Sequence, residues 1–371
     1  MTGFYIVLVI LILIFTIIEH ETGHFLAAKA VGIKATHFSV GFGPEIVGWD
    51  RGGTRYAIKW VMAGGSVRIL GMNPEEEISE EDLPYSYTEA PYWKRFIVVV
   101  AGSVANILLA FLFFFVLVLS FGLPTQANLN SSRIGAVTRY YPGTKQVSPA
   151  FGAGLKEGDR ITSVNGVKAR KWEDLTNQLG PHPGEKVTIT VNRDGKTLVL
   201  TPTLLSIKTN GAAKGKLGIE PYAPRERYNP ITAFWGGAKF VGLETAAVVK
   251  GIGSLFSLTN LKVLLGMKPR TINSPQSIVG GARLSVEAAR RGPDVFLALM
   301  GSIILVIGIF NLLPLPPLDG GHVLVIVIEK LSGRKVDMRK VAVVSWAVII
   351  VLSIIALRLA ILDIFNPIKL P

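Results

Sequence analysis

The chain of 371 residues is 49% hydrophobic and only 18% charged, with a mean hydropathy of +0.44. Soluble domains carry nearer a quarter charged residues, and this apolar balance, with no periodic glycine, excludes disorder and collagen and defines a membrane protein. The absence of Cys excludes disulfides, thiolate metal sites and a Cys nucleophile, while a formal charge of +13 beside apolar spans reads as orientation in a membrane rather than nucleic-acid binding.

In chain order, residues 1–18 are almost wholly apolar and helical composition continues through residue 30. A hydrocarbon core of about 30 Å needs about 20 apolar helical residues. No Lys or Arg precedes this run and no small-residue cleavage site is evident, so 1–30 is read as a retained first transmembrane helix with its N-terminus outside. Residues 31–93 follow as a β-rich, membrane-associated region on the cytoplasmic side. Within it HFSVGFG (37–43) and RYAIKWVM (55–62) alternate apolar and polar residues around glycine turns, and 75–82 is an acidic, solvated stretch.

The second transmembrane helix is 94–122, opened by Lys94 and Arg95. A compact soluble domain at 131–206 follows, in which Gly-Asp, Asn-Gly and Asp-Gly turns separate β-like runs at 159–166, 186–195 and 196–204, with a short helix at 172–179. Residues 207–294 read as a connector, polar at 207–216 and with interfacial helices at 232–265, where Gly and Lys weigh against a further span. The third transmembrane segment, 295–330, is interrupted by Pro314, Pro316 and Pro317, and the fourth helix is 339–362. Lys94, Arg95, Lys330, Arg334, Lys335, Arg339 and Lys340 place the short connections in the cytoplasm, and the segment 122–294 outside.

The chemistry concentrates in His20-Glu21-Thr22-Gly23-His24. Histidines at i and i+4 share one helical face and can grip one Zn²⁺, and the intervening Glu21 is placed to act as general base. A catalytic zinc takes a third protein ligand and leaves a position open. The best candidate is Asp319 in NLLPLPPLDGGH (311–322), an isolated carboxylate beside an apolar span, although an Asp there can also cap the helix that follows. His322, three residues on, suits a supporting hydrogen bond or direct ligation, whereas His37 and His182 read as surface or structural residues. Asn311 and Asn106 suit either a hydrogen bond to substrate backbone or helix packing, the latter beside the small residues Gly102, Ser103 and Ala105.

HETGH in the first span, NLLPLPPLDGG in a later one and an intervening outer domain resemble the site-2 protease family of intramembrane zinc metalloproteases. The likeness is to its bacterial branch with one extracytoplasmic PDZ domain, carried by SPAFGAGLKEGDRITSVNG (148–166), WEDL and VNRDGK. It implies a polytopic α-helical membrane protein of about four transmembrane helices, with a membrane-associated β region and an inserted α/β PDZ domain, in the bacterial cytoplasmic membrane. It implies one Zn²⁺ per chain held by His20, His24 and Asp319, Glu21 as the base, and Asn311 and the turn at Pro314 holding an unwound substrate, with Asn106 a further substrate-binding candidate. The expected partners are transmembrane protein substrates, among them a membrane-bound anti-sigma factor, peptide or protein tails at the PDZ domain, and the lipid bilayer, without nucleic acid. MAGGSV (62–67) departs from the family's PxGGY-like stretch, AGSVAN has Ser103 where Pro is usual, and VGGARL (279–284) matches a GPxGI-like segment weakly.

Two other readings compete with a protease. A PDZ-bearing membrane adaptor with a structural zinc accounts for 131–206 but leaves Glu21 without a purpose, since a structural site is closed and needs no base. A metal transporter needs a polar path, and the fourth span offers only Arg358 near its end and Asp363 beyond it.

Overall fold

The computed structural model describes residues 2–73, 76–124, 127–140, 146–209, 212–255, 257–268, 270 and 274–366. Met1 of the apolar run, Glu75 of the acidic stretch and residues 210–211 of the polar connector lie outside them. The chain divides into two compact units, one formed by residues 1–120, 229–269 and 275–366 and the other chiefly by residues 121–228.

An unbroken run of Leu, Ile, Val and Phe without Pro makes α1 (Thr2–Val31), which stops where Gly32 turns left-handed at φ +78°. β1 (Ala35–Arg51) and β2 (Thr54–Ile69) reverse through Gly52 and Gly53, both at positive φ as a tight hairpin turn demands. The register is irregular: Asp50 faces Arg55 and Glu45 faces Lys59, yet Ser39 opposes both Ala57 and Ser66. The first half of β1 therefore lies between two stretches of β2. Phe38 and Tyr56 pack on Phe25 of α1 at ring distances of 5.1 and 5.9 Å. Phe42, Ile46, Val47, Trp60, Val61 and Met62 stay exposed.

The apolar α2 (Tyr92–Phe121) leads into the second unit. There, in order, come β3 (Leu123–Pro124), β4 (Ile134–Val137), α3 (Pro149–Gly152), β5 (Arg160–Val164), β6 (Val167–Lys168), α4 (Trp172–Leu179), β7 (Ile189–Arg193), β8 (Lys196–Leu200), β9 (Leu205–Thr209), β10 (Ala212–Lys216), β11 (Ile219–Pro221) and β12 (Arg225–Glu226). The central sheet has the order β6-β5-β7-β8, and its two hairpins turn on Asn165-Gly166 and Asp194-Gly195, all four at positive φ. Ile134, Ile161, Leu175, Ile189 and Val191 are almost wholly buried beneath it. Residues 207–216, expected as a polar connector, instead supply most of the β9–β10 hairpin, and β11 then pairs with β4. Backbone pairing satisfies the ladder whatever the side chains, so this Lys- and Gly-bearing stretch gave no alternating signal. The first and last strands, β3 and β12, pair with each other.

Back in the first unit are α5 (Pro230–Leu255), α6 (Leu258–Leu264), α7 (Ile278–Arg291), α8 (Pro293–Asn311), α9 (Asp319–Ser332) and α10 (Met338–Phe365). Among the described residues four helices are long and apolar enough to cross a membrane, namely α1, α2, α8 and α10, and the protein is a multi-pass membrane protein. α5 and α6 meet that test only as a pair bent by 66°. α5 leans on α2 through Phe240 against Phe114 (4.8 Å) and Phe234 against Phe111 (5.1 Å), and on α8 through the hydrogen bond from Ser302 Oγ to Glu244 at 3.2 Å. The prolines of the third apolar segment fall between α8 and α9, so that segment is two helices joined by a turn at 312–318.

Candidate metal centre

α1 presents His20 and His24 on one face, toward α2. The approach is close because residue 102 is glycine: a Cβ there would collide with His24 Nε2 and stand 2.8 Å from His20 Cε1. Gly23 performs the same service from the other side, where a Cβ would lie 2.6 Å from the Ala101 carbonyl. Asp319 arrives as the first residue of α9. Its neighbours must be glycines, since a Cβ at Gly320 would run into the Leu312 and Leu313 carbonyls and one at Gly321 would lie 2.7 Å from Pro316 N. The DGG motif thus folds the proline turn tightly under the start of α9.

These elements converge three atoms. His20 Nε2 and His24 Nε2 are 3.2 Å apart, and Asp319 Oδ2 lies 3.3 and 3.4 Å from them. Among the described residues these three form the group able to hold a metal, and His322 is not in it. The tautomers are set from behind. His24 Nδ1–H donates to the Val98 carbonyl at 2.8 Å, leaving Nε2 as the lone-pair nitrogen. Asn106, fully buried in α2, faces His20 Nδ1 at 3.2 Å. With the amide oxygen toward His20, the amide nitrogen donates to Glu19 Oε2 at 3.0 Å and to the Thr16 carbonyl at 3.3 Å. The opposite orientation sets oxygen against oxygen twice, so the first is the physical one.

Three electron-pair donors then face one another, and Asp319 Oδ2 is buried without a hydrogen-bond partner. Ligand bonds of about 2.0–2.1 Å at near-tetrahedral angles put ligand atoms about 3.3 Å apart, and the observed separations match. The donor set therefore fits zinc. Asp319 is the first residue of α9 rather than its N-cap, which is Leu318, and among the described residues no side-chain hydrogen bond caps this helix.

Glu21 Oε2 accepts from the Val67 amide of β2 at 2.9 Å, which ties the carboxylate to the hairpin beside the cluster. β2 can come this near because its neighbours are Gly64 and Gly65; a Cβ at the latter would touch Glu21 Cγ at 3.4 Å. Partial desolvation, then Arg68 and Lys59, push the His37 imidazole of the hairpin below its ordinary range against the opposing pull of Glu45 and Glu76. Asn311 closes α8 and Pro314 is exposed in the turn; among the described residues no hydrogen bond joins either side chain to the cluster. Asn106, expected at the substrate, is instead behind His20. His322 lines a cavity of about 200 Å³ with Pro316, Pro317 and Trp346, and His182 is bonded to Glu185 at 2.7 Å in the second unit. Sequence reasoning passed over Glu19, although a carboxylate inside an apolar run was a signal, and Val98, whose backbone carbonyl leaves none.

A multi-pass membrane chain that assembles HETGH and an LDG carboxylate into such a trio is a zinc metalloprotease. Residues 7–355 match the model of peptidase family M50, the site-2 protease family, and the chain belongs to that family. It is similar to the zinc metalloprotease Rip1 of Mycolicibacterium smegmatis, 28% identical over 404 residues covering 100% of this chain and 99% of the relative. Proteins that carry zinc metalloprotease names in Agrobacterium fabrum (32% identical over 356 residues, 90% and 89% of the two chains) and Clostridium acetobutylicum (29% over 378 residues, 100% of each) are also similar.

Proposed function

We propose that this protease cuts peptide bonds within transmembrane segments of other membrane proteins, with His20, His24 and Asp319 holding the zinc and Glu21 moving the proton. The convergence of three lone-pair atoms within 3.2–3.4 Å inside the helical unit, with Glu21 next to His20 on the same helix, carries this reading. Zinc bound there supplies Lewis-acid polarisation of the scissile carbonyl and of water. Glu21 takes the proton of the attacking water on a carboxylate oxygen as the new C–O bond forms, and delivers it to the amine nitrogen as the C–N bond breaks. Val67 N–H holds Glu21 Oε2, which leaves the other oxygen for that traffic. A regular substrate helix hides its carbonyls in internal hydrogen bonds, so the target unwinds first, and Asn311 and the turn at Pro314 hold the extended strand.

The second unit, with its four-stranded sheet and α4, acts in this reading as an extracytoplasmic PDZ domain at 131–206 that binds peptide or protein tails. The chain works in the bacterial cytoplasmic membrane, and a membrane-tethered regulator such as an anti-sigma factor is its substrate. The test pairs wild type with Glu21→Gln, both purified in detergent, for zinc content and cleavage of a model transmembrane substrate. Zinc in both with cleavage by wild type alone, and a rate at least about 10³-fold lower in the variant, is expected. Undiminished cleavage by Glu21→Gln overturns the assignment of the base.

A further inference from the structure

We propose that Glu19 is a positioning residue for the metal site: through the Asn106 amide it fixes the orientation of the His20 ring. The inference rests on the reading of His20 as a zinc ligand. It starts from the arithmetic of one buried amide. Asn106 has no solvent to turn to, being fully buried, and a primary amide has two donor hydrogens and an acceptor oxygen to satisfy. Its surroundings supply two acceptors on one side, Glu19 Oε2 at 3.0 Å and the Thr16 carbonyl at 3.3 Å, and one ring nitrogen on the other, His20 Nδ1 at 3.2 Å. Only one orientation satisfies all three. It makes His20 Nδ1 the donor, and Nε2 is then the lone-pair nitrogen that points at His24 and Asp319.

Glu19 contributes most of that bias. The Thr16 carbonyl belongs to the helix and is present whatever residue 19 is, and by itself it gives the amide one neutral hydrogen bond. A carboxylate acceptor is roughly twice as strong as a neutral one. Turning the amide over would set its oxygen against that carboxylate and leave buried polar atoms without partners. The placement is otherwise hard to explain. Glu19 is half-buried in an apolar helix long enough to cross a membrane, where a carboxylate is expensive unless it has a partner and a task. The resulting chain runs Glu19 carboxylate, Asn106 amide, His20 imidazole, two hydrogen bonds of defined polarity that leave Nε2 free to hold a metal.

The test reads metal release rather than proteolysis. Full-length protein in detergent is loaded with zinc, and release to a chromogenic chelator is timed at one pH for wild type, Glu19→Leu, Glu19→Gln, Asn106→Asp, the Glu19→Gln/Asn106→Asp double variant and His20→Ala. Glu19→Leu should release zinc about tenfold faster or more, as lost supports behind ligands generally do, while Glu19→Gln, which keeps an oxygen acceptor, should stay within a few-fold of wild type. Since Glu19→Leu can also act by disturbing the helix, the decisive comparison is a reversal of sign. In Asn106→Asp a carboxylate faces the Glu19 carboxylate, and adding Glu19→Gln replaces that repulsion with a donor. The same Glu19→Gln change that is neutral or mildly harmful alone should therefore slow release about tenfold in the Asn106→Asp background. A double variant no slower than Asn106→Asp alone, or Glu19→Leu releasing at the wild-type rate, overturns the proposal while leaving the ligand assignment standing. Zinc release from His20→Ala at the wild-type rate overturns the ligand assignment and the proposal with it.

Discussion

Gly102 shows how much of the centre depends on a missing side chain. Both imidazoles occupy the space that a Cβ at 102 would need, with His20 Cε1 at 2.8 Å and the obstruction at His24 closer still. Gly102→Ala is expected to expel zinc, to below about a tenth of wild-type occupancy, while helix content measured by circular dichroism is unchanged. Gly281→Ala, at a glycine whose Cβ would meet nothing within 4 Å, should retain full occupancy in the same assay. Equal occupancy in the two variants would show that α2 shifts freely, contrary to the packing described. At this scale the sequence was legible where the spacing is local: His20, Glu21 and His24 lie within about one helical turn, and Asp319 announces itself as a lone carboxylate among apolar residues. The supports were not legible. Val98 and Asn106 act on His24 and His20 across 74 and 86 residues of chain, and only packing makes them neighbours.

Among the elements, α2 and α9 are joined by the buried pair Arg95–Glu329, 2.6 Å apart, with the guanidinium 4.7 Å from the Tyr87 ring centroid and Glu329 Oε1 accepting from Val336 N at 2.9 Å. This joint couples the helix that supports both histidines to the one that begins with Asp319. Breaking it from one side strands a buried charge, so Glu329→Leu is expected to cost about 3–5 kcal/mol, read as a fall in the thermal unfolding midpoint in detergent. Arg95→Met/Glu329→Leu should recover most of that loss, because removing both charges removes both desolvation penalties. A double variant no more stable than Glu329→Leu would mean that the pair is not the joint. The sequence reading counted Arg95 among the charges that orient the chain in the membrane. The fold spends it inside, against a carboxylate 234 residues away, and composition alone cannot distinguish an inward Arg from an outward one. The β1–β2 pairing was likewise legible as strands but not as a register, since Gly41 and Gly43, both at positive φ, shift the ladder where alternation would have predicted none.

For the molecule as a whole, the two units have different sources of stability. The first relies on apolar helices, while the second is a small β-rich fold with an ion pair whose carboxylate is buried. Asp159 is 1% exposed and accepts from Arg193 Nε and Nη2 at 2.7 Å each and from Lys156 N at 2.9 Å. Burial raises its proton affinity, but the Arg193 guanidinium and the Lys156 amide outweigh burial and hold the carboxyl below its ordinary range. A carboxylate so held adds stability that is fully present above its unfolded pKa, near 4, and is lost as pH falls through the lower folded value. Protection factors of the β5 and β7 amides, with the intrinsic pH dependence of exchange divided out, should therefore fall between about pH 5 and pH 3 in wild type. Asp159→Asn should exchange roughly tenfold faster than wild type at pH 7, a loss of about 1–2 kcal/mol, and its protection factors should vary little over the acid range. Acid-insensitive protection in the wild type would remove the pair from the stability of this unit. The turns of its sheet were readable as Asn-Gly and Asp-Gly, whereas β10, built from Lys, Gly and Ala, shows its strand form in its backbone pairing with β9.

One pairing in that unit has a consequence for how such a chain can change over generations. β3 and β12, its entrance and its exit, lie side by side, Leu123 against Glu226 and Pro124 against Arg225. A segment of about a hundred residues that begins and ends at one backbone ladder is a cassette, since domains with adjacent ends are readily inserted or excised. Recombination at that seam could replace the module, duplicate it or delete it and leave the metal-binding helices their own contacts.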